Sequence, residues 1–166
     1  MSDLTIRLAR SDELKAVGDL TLRAYVADGY FSEGVARPYQ SHLADAHSRA
    51  EQAELLVAVD ADDTLLGTVT IALPGTPYAE VSREGELEFR MLAVNPSARK
   101  RGVGGALIQA VLDRARELGY ARVVLCSQDT MVGVQGIYRR LGFQRMPERD
   151  WDPLPDVKLV AYGLDL

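Results

Sequence analysis

The stretch NPSARKRGVGGALIQAVL, residues 95–112, decides how the rest of this sequence is interpreted. Three consecutive cations stand directly before a turn that contains three glycines, and apolar residues then recur at helical spacing from Val103 to Leu118, with Gly119 placed to end the helix. A helix N-terminus offers unpaired N–H groups and partial positive charge, and glycines let a bulky anion approach them closely. The stretch therefore predicts a phosphate site, against the simpler alternative of a solvated basic turn.

Three kinds of phosphate-binding turn compete for this stretch. A P-loop requires GxxxxGK[ST], which the sequence lacks. A dinucleotide-binding turn requires GxGxxG, and Leu107 stands where its third glycine or alanine belongs. The third kind of turn is recognised partly by the strand and the helix on either side of it, so the predicted elements come first.

The surrounding sequence alternates strands and helices. Period-2 and period-3.6 patterns predict the order β-α-α-β-β-β-α-β-α-β-β, which is an α/β fold with a mixed sheet covered by helices on both faces. The predicted elements are a strand at 4–9, a helix from a Ser11 cap to Asp28, a loop at 29–38, a helix at 38–52, a hairpin of 54–60 and 64–73, a strand at 86–94, the helix after residue 102, a strand at 121–127, a helix ended by Gly142, and strands at 143–146 and 157–166.

Length and charge narrow the class of protein. The 166 residues favour one domain over 1–166, and 47 % apolar content is that of a globular chain. A formal net charge of -5 argues against nucleic-acid binding, since neutralising phosphates needs a basic face. No apolar run is long enough to span a bilayer, and the N-terminus lacks a signal peptide's pattern, so we expect a cytoplasmic protein that binds no membrane.

Two motifs resemble those of the GNAT superfamily of N-acetyltransferases. RKRGVG, residues 99–104, matches its [RQ]-x-x-G-x-[GA] signature, placed between a strand and an amphipathic helix. IYRRLGF, residues 137–143, is similar to its Tyr-x-x-x-Gly-Phe segment. The order of elements also agrees, so the resemblance covers nearly the whole chain.

The resemblance implies a site for acetyl-CoA. Strand 86–94 would diverge from strand 121–127, the pantetheine would pair with the exposed backbone of the first strand, and the helix N-terminus would hold the pyrophosphate. The residues implied are Leu92, Ala93, Val94, Arg99, Lys100, Arg101, Gly102, Val103, Gly104 and Gly105. Many members carry Asn and Ala where this chain has Met131 and Val134, and Ser127 or Gln128 is the expected substitute for that Asn.

Acetyl transfer to an amine calls for a base and a proton donor. The resemblance places Tyr138 near the cofactor sulfur as the acid, although its place on an apolar helix stripe also fits a core tyrosine. It suggests Glu88 as the base, against the alternative of a solvated strand face on which Glu86, Glu88 and Arg90 lie opposite Leu87, Phe89 and Met91. The single Cys126 is expected to be a small core residue.

The sequence thus predicts an N-acetyltransferase that acylates a primary amine of a small molecule or peptide by direct attack. Two alternatives stay open. One is a non-catalytic acyl-CoA-binding module of the same fold; the other is a nucleotide-binding oxidoreductase or kinase-like protein that uses the glycine-rich turn, against which Leu107 and the missing Lys-Ser/Thr argue. We expect no metal, since the sequence has no Cys/His cluster. Exposed sheet edges and the resemblance are consistent with a homodimer. Four aromatic residues, Tyr25, Tyr30, Phe31 and Tyr39, surround the loop expected to border the acceptor pocket.

Overall fold

A computed structural model describes residues 4–28, 37–154 and 157–166, with the backbone alone at 37–39 and 154. The helices are α1 (Leu14–Ala27), α2 (Arg37–Ala44), α3 (Ala46–Gln52), α4 (Val103–Glu117) and α5 (Val132–Arg140). The strands are β1 (Thr5–Leu8), β2 (Glu54–Val59), β3 (Leu65–Ala72), β4 (Glu86–Val94), β5 (Arg122–Gln128), β6 (Gln144–Arg145), β7 (Trp151–Leu154) and β8 (Val157–Asp165). No described helix has the length and apolarity of a membrane span.

All eight strands belong to one mixed sheet. Its order is β1-β2-β3-β4-β5-β8-β6, and β7 also pairs with β8. The only parallel neighbours among the described strands are β4 and β5, while the other pairs are antiparallel. This arrangement confirms the predicted mixed sheet.

Helices cover both faces of the sheet. The apolar stripe of α4, with Leu107 and Val111, packs in one cluster with Phe89 of β4. On the opposite face, Leu20 and Ala24 of α1 pack in a second cluster. Both faces are therefore buried, as the near-continuous apolar pattern of β3 requires.

The predicted second helix is wrong as a single element. It divides into α2 and α3 at Asp45, whose carboxylate accepts hydrogen bonds from the Ser48 backbone N–H at 3.1 Å and from the Ser48 hydroxyl at 2.7 Å. An Asp at this position caps a new helix rather than continuing the old one.

Three boundary predictions also need correction. Ser11 is not a helix cap: residues Ser11–Glu13 form a 3-10 turn, and the Glu13 carboxylate accepts from the Arg10 N–H at 2.7 Å. A Pro-rich loop is expected between the predicted strands at 143–146 and 157–166, but this interval contains β7. The strand tolerates Pro153 because it pairs only with β8 among the described strands. Of the loop predicted at 29–38, residues 29–36 lie outside the described residues, and residues 37–38 already belong to α2, so the predicted loop is too long by two residues.

A bulge bends β4 in its middle. Met91 has a positive φ of 56°, and the register against β3 shifts between Thr68 and Thr70. The extra residue exchanges the two faces of the strand, so Met91 packs with Leu20 and Ala24 instead of with Phe89. The expectation that Leu87, Phe89 and Met91 share a face is therefore wrong for Met91.

Candidate active site

The two central strands pair over three residues and then separate. Glu86, Leu87 and Glu88 pair with Arg122, Val123 and Val124, and no later residue of β4 pairs with β5. Both strands continue beyond that point, and the bulge at Met91 bends β4 there. The strands therefore form a fork whose closed end lies at Glu88 and Val124.

The backbone of β4 beyond the bulge faces the open side of this fork. The Asn95 N–H donates to Leu66 O of β3 at 2.8 Å, so the alternating pattern of an antiparallel pair turns the polar groups of Val94 and Leu92 the other way. Ala93 pairs with Thr68, and its side chain is 4 % exposed in the α1-side cluster. Of the three residues implied for pantetheine, Leu92 and Val94 face the fork and Ala93 does not.

The N-terminus of α4 opens at the end of β4. Its N-cap is Gly102 with a φ of 76°, and no described side chain caps it. The first N–H groups of the helix, from Val103 onward, have no intrahelical acceptor. A Cβ added at Gly104 would meet only Val94 at 3.7 Å, and one at Gly105 would meet no atom within 4 Å. Packing therefore does not require glycine at these positions, whereas close approach of a ligand would.

The three cations before this turn differ in their surroundings. Arg99 donates to Asp28 at 2.9 Å and to the Val94 carbonyl at 3.1 Å, so it links the turn to the end of α1. Lys100 and Arg101 are exposed, and neither forms an ion pair within the described ranges. Lys100 and Arg101 are thus the cations available to an anion, while Arg99 is bound to the protein itself.

Glu88 lies at the closed end of the fork and is 1 % exposed. Its Oε1 accepts three backbone N–H groups, from Glu80 at 2.9 Å, Val81 at 2.8 Å and Ser82 at 3.0 Å. Burial raises the pKa of Glu88, although these hydrogen bonds and the charge of Arg90 lower it. The solvated strand face considered as the alternative is wrong, because this face is covered by the 80–82 loop.

The two charged neighbours of Glu88 on this face of β4 form ion pairs with other residues. Arg90 binds Glu80 at 2.6 Å and not Glu88. Glu86 binds Arg149 at 2.8 Å and Arg122 at 3.2 Å, and although burial opposes it, these partners hold the pKa of Glu86 below its ordinary value. Glu88 is therefore the carboxylate of this face without an ion-pair partner among the described side chains.

Tyr138 projects from α5 into an aromatic cluster. It is 5 % exposed, and its ring centroid lies 5.9 Å from that of Phe89 and 6.0 Å from those of Phe143 and Tyr162. Phe89 directly follows Glu88 on β4 and points to the opposite face of the sheet. Tyr138 and Glu88 thus reach the closed end of the fork from opposite faces.

The residues near the missing family Asn make other contacts. Met131 is the N-cap of α5 and packs in the α1-side apolar cluster. The Ser127 hydroxyl donates to the Gln128 carbonyl at 3.3 Å, and that carbonyl also accepts Gln135 Nε2 at 2.8 Å. Ser127 is buried on β5, beyond the residues that pair with β4.

Cys126 lies on β5, two residues beyond Val124, the last residue of β5 that pairs with β4. Burial and the nearby charge of Glu88 raise the pKa of this thiol to about 12, against a lowering effect of Trp151. The thiol is thus protonated at neutral pH, which removes the thiolate that nucleophilic catalysis requires. Cys126, expected to be a small core residue, is half-buried in the structure.

Two depressions flank the 74–85 loop. The larger, about 570 Å³, lies near Gly85 and Tyr120, at the end where β4 and β5 are still paired and away from the fork. The smaller, about 300 Å³, is bordered by residues 80–83, Arg149 and Trp151, and so adjoins the loop whose amides bind Glu88. We call the smaller one the β7 groove.

Sequence reasoning missed the features that surround Glu88. Backbone amides of residues 80–82 carry no residue signature, and nothing in the sequence connects Arg149 to a carboxylate 63 positions away. Of the four aromatics expected near the acceptor, Tyr25 is buried on α1, while Tyr30, Phe31 and the Tyr39 side chain lie outside the described residues. The described chain holds no group of three or more metal-ligating side chains.

Comparison with known proteins agrees with this geometry. An aminoglycoside N(6′)-acetyltransferase type 1 of Klebsiella aerogenes is 31 % identical over 119 residues, which are 70 % of this chain and 77 % of that protein. An uncharacterized N-acetyltransferase of Schizosaccharomyces pombe is 30 % identical over 103 residues, 62 % of this chain and 59 % of its own length. This chain thus spans little more than half of that relative.

Solved structures share the fold at lower identity. The PaiA N-acetyltransferase of Thermoplasma acidophilum, solved in complex with coenzyme A, superposes with a TM-score of 0.75 at 16 % identity, covering 97 % of this chain and 98 % of that one. The model of the acetyltransferase (GNAT) family matches residues 19–143, which hold the fork, the glycine turn and Tyr138. By its sequence and its divided sheet, the chain belongs to the GNAT family of acetyl-CoA-dependent acetyltransferases.

Proposed function

We propose that this protein transfers the acetyl group of acetyl-CoA to a primary amine of a small molecule or peptide. The observation that carries the proposal is the fork, since β4 and β5 separate directly beyond Glu88 and an uncapped helix N-terminus stands at its open end. An amine acceptor also fits the aminoglycoside N(6′)-acetyltransferase among the relatives.

The residues of the fork fit the cofactor from phosphate to thioester. The first N–H groups of α4, together with Lys100 and Arg101, would bind the pyrophosphate. The backbone groups of Leu92 and Val94 would pair with the pantetheine amides as a neighbouring strand would, with Arg99 giving up the Val94 carbonyl. Acetyl-CoA, when bound there, supplies the activated acetyl group.

Glu88 acts as the general base in this proposal. A lysine-like amine is neutral in only about 1 molecule in 2,500 at pH 7, a cost of roughly 4–5 kcal/mol that a base relieves. The three amides occupy Oε1, so Oε2 accepts the proton from the acceptor amine or from a water between them. The raised pKa of this buried carboxyl makes it a stronger base than an exposed glutamate.

Tyr138 donates a hydrogen bond or a proton to the leaving thiolate. It approaches the closed end of the fork from the face opposite Glu88, so the acid and the base do not compete for one proton. The acetyl group passes directly to the amine, because Cys126 stays protonated and offers no thiolate for an acyl-enzyme.

An amine-panel assay that follows CoA release tests the proposal. The protein is incubated with acetyl-CoA and simple amines, amino acids, peptides and aminoglycosides, and acceptor-dependent CoA release is expected for at least one class. Binding of acetyl-CoA without turnover of any acceptor would identify a non-catalytic acyl-CoA-binding module instead and would refute the enzyme.

A further inference from the structure

The β7 groove is bordered by two buried N–H donors whose hydrogen bonding is incomplete. Arg149 Nε and Trp151 Nε1 are sealed from solvent, and Arg149 Nε has no hydrogen-bond partner in the described part of the chain. The partner of Trp151 Nε1 is the Cys126 thiol, which is a weak acceptor. Both residues border the groove together with Val81 and Ser82. A buried donor left unsatisfied costs about 1–3 kcal/mol, and native proteins keep few of them.

The rest of Arg149 is fully engaged, which isolates this one N–H. Its terminal nitrogens bind both oxygens of Glu86, and Nη1 also donates to the Val81 carbonyl at 3.3 Å. Its positive charge is therefore compensated within the protein. The remaining Nε–H is a hydrogen-bond donor in a locally neutral pair, suited to a ligand oxygen.

The groove adjoins the proposed base. The amides of Glu80, Val81 and Ser82 bind Glu88 Oε1, and these three residues also form one wall of the groove. On the other wall, the Trp151 side chain hydrogen-bonds the Cys126 sulfur and so lowers the pKa of that thiol, while the charge of nearby Glu88 raises it. An acceptor whose amine meets Glu88 would thus place its neighbouring atoms beside Trp151.

We propose that Arg149 Nε and Trp151 Nε1 bind an oxygen of the acceptor, so that the preferred acceptor is an amine with a carbonyl or carboxylate group close to its amino nitrogen. This inference rests on the proposed function and narrows its substrate class. Binding the oxygen requires Trp151 Nε1 to exchange the Cys126 thiol for it. Arg83 borders the groove, is exposed and forms no ion pair within the described residues, so its side chain is free to move aside. A site with buried donors rejects analogues that lack the acceptor atom.

Matched acceptors test this inference. Leucinamide, leucine and 3-methylbutylamine share one skeleton apart from the carbonyl or carboxylate group, and the same triplet is made from lysine and phenylalanine. Because that group also lowers the pKa of the amine, kcat/KM is expressed per neutral amine. We expect kcat/KM to be at least about 10-fold higher for the amide or the acid than for the bare amine in at least one triplet. The better of the two oxygen-bearing forms identifies the carbonyl or the carboxylate as the ligand group.

Two variants assign the preference to these donors. Trp151→Phe keeps an aromatic ring without the N–H, and Arg149→Lys keeps a cation for Glu86 without Nε. Each is expected to reduce the preference severalfold, while Tyr120→Phe, in the other depression, preserves it. If one variant does not fold, the other still decides the outcome.

Binding gives a second readout. Trp151 is the only tryptophan in the sequence, so its fluorescence reports occupancy of the groove without turnover. We expect the oxygen-bearing amines to change its emission at lower concentration than the bare amine does. Equal kcat/KM within every triplet, or a preference unchanged in both variants, would overturn the inference while leaving amine acetylation intact. Failure to acetylate any amine would instead refute the proposed function.

Discussion

Glu86 and Glu88 stand two residues apart on one face of β4, yet their surroundings shift their pKa values in opposite directions. Glu86 lies among Arg149, Arg122 and the Arg83 amide, which keep it ionised. Glu88 has no cation in hydrogen-bond contact, and burial raises its pKa. Two carboxyl groups separated in this way suit different roles: Glu86 forms ion pairs, and Glu88 is the proposed base.

Glu88→Gln separates the catalytic role of Glu88 from its structural one. The amide oxygen of Gln can still accept the three N–H groups of the 80–82 loop, so the loop keeps its position. Loss of the base is expected to lower kcat/KM about 100-fold or more and to remove the acidic limb of its pH profile. That limb in the wild type should lie above the ordinary glutamate pKa of 4.5.

The raised pKa of Glu88 also predicts the direction in which Glu88→Gln changes stability at neutral pH. Because the folded-state pKa of Glu88 is raised, the folded state binds this proton more tightly, and the carboxyl loses stabilising effect as the pH rises from 4.5 through the raised pKa. Glu88→Gln should therefore melt no lower than wild type at pH 7, whereas Glu88→Ala should melt lower. Glu84→Gln, at an exposed position, is the control, and a pH profile unchanged in Glu88→Gln would eliminate the base.

Tyr138→Phe tests the proton donor. The ring contacts with Phe89, Phe143 and Tyr162 survive the change, so folding should be retained. Without the hydroxyl we expect kcat to fall at least about 10-fold with little change in the KM for acetyl-CoA. Steady-state kinetics with a good acceptor measure both, and an unchanged kcat would show that Tyr138 is only a core residue.

Among the elements, α4 combines a bare N-terminus with a tightly packed body. Gly67 of β3 allows the helix to lie close, since a Cβ there would be 2.9 Å from both Ala93 O and Val103 Cγ1. Gly105 in the first turn faces open space instead. Gly67 thus lets α4 pack closely on the sheet, and Gly105 leaves the first turn of α4 open.

Gly105→Leu is expected to block the cofactor without harming the fold. A Cβ at this position meets open space in the free protein, and Leu is a better helix former than Gly. We therefore expect an unchanged or higher melting temperature and a Kd for CoA raised at least about 10-fold, measured by calorimetry. Gln109→Leu, one turn further along the exposed face, is the control. Equal CoA affinity in both variants would place the pyrophosphate elsewhere.

Unlike Gly105, Gly18 is required by packing, because it lies where α1 crosses α2. A Cβ at Gly18 would lie 2.0 Å from the Ala44 carbonyl oxygen, so the backbones themselves must move apart. We expect Gly18→Ala to lower the free energy of unfolding by on the order of 3 kcal/mol. Gly133→Ala, where the Cβ meets nothing within 4 Å, should be neutral or stabilising by chemical denaturation. Equal effects would contradict the close crossing.

Elements were predicted correctly from the sequence where the local residue pattern agrees with the tertiary structure. Strand 86–94 and the end of α4 at Gly119 follow from alternation, helical spacing and a left-handed glycine, whose φ is 82°. The face of Met91 did not follow, because a bulge residue has no signature and Met is not favoured at positive φ. The amides around Glu88 were likewise hidden, since only the folded loop brings them together.

At the scale of the whole molecule, the sheet consists of two halves joined by a short seam. One half runs from β1 to β4, the other from β5 to β8, and three residue pairs connect them. Such a break would expose backbone groups in an ordinary sheet, which makes it costly unless a ligand pairs with them. In the proposed function, the exposed backbone of the fork would bind an extended, amide-containing cofactor at this break in the sheet.

An amide NMR titration with CoA tests this account most directly. Pyrophosphate alone should shift the N–H signals of residues 100–105, and whole CoA should shift these and also Leu92, Val94 and Ser127. Shifts confined to the 570 Å³ depression near Tyr120 would contradict the account. So would CoA binding that leaves the N–H groups of Val103, Gly104 and Gly105 unperturbed.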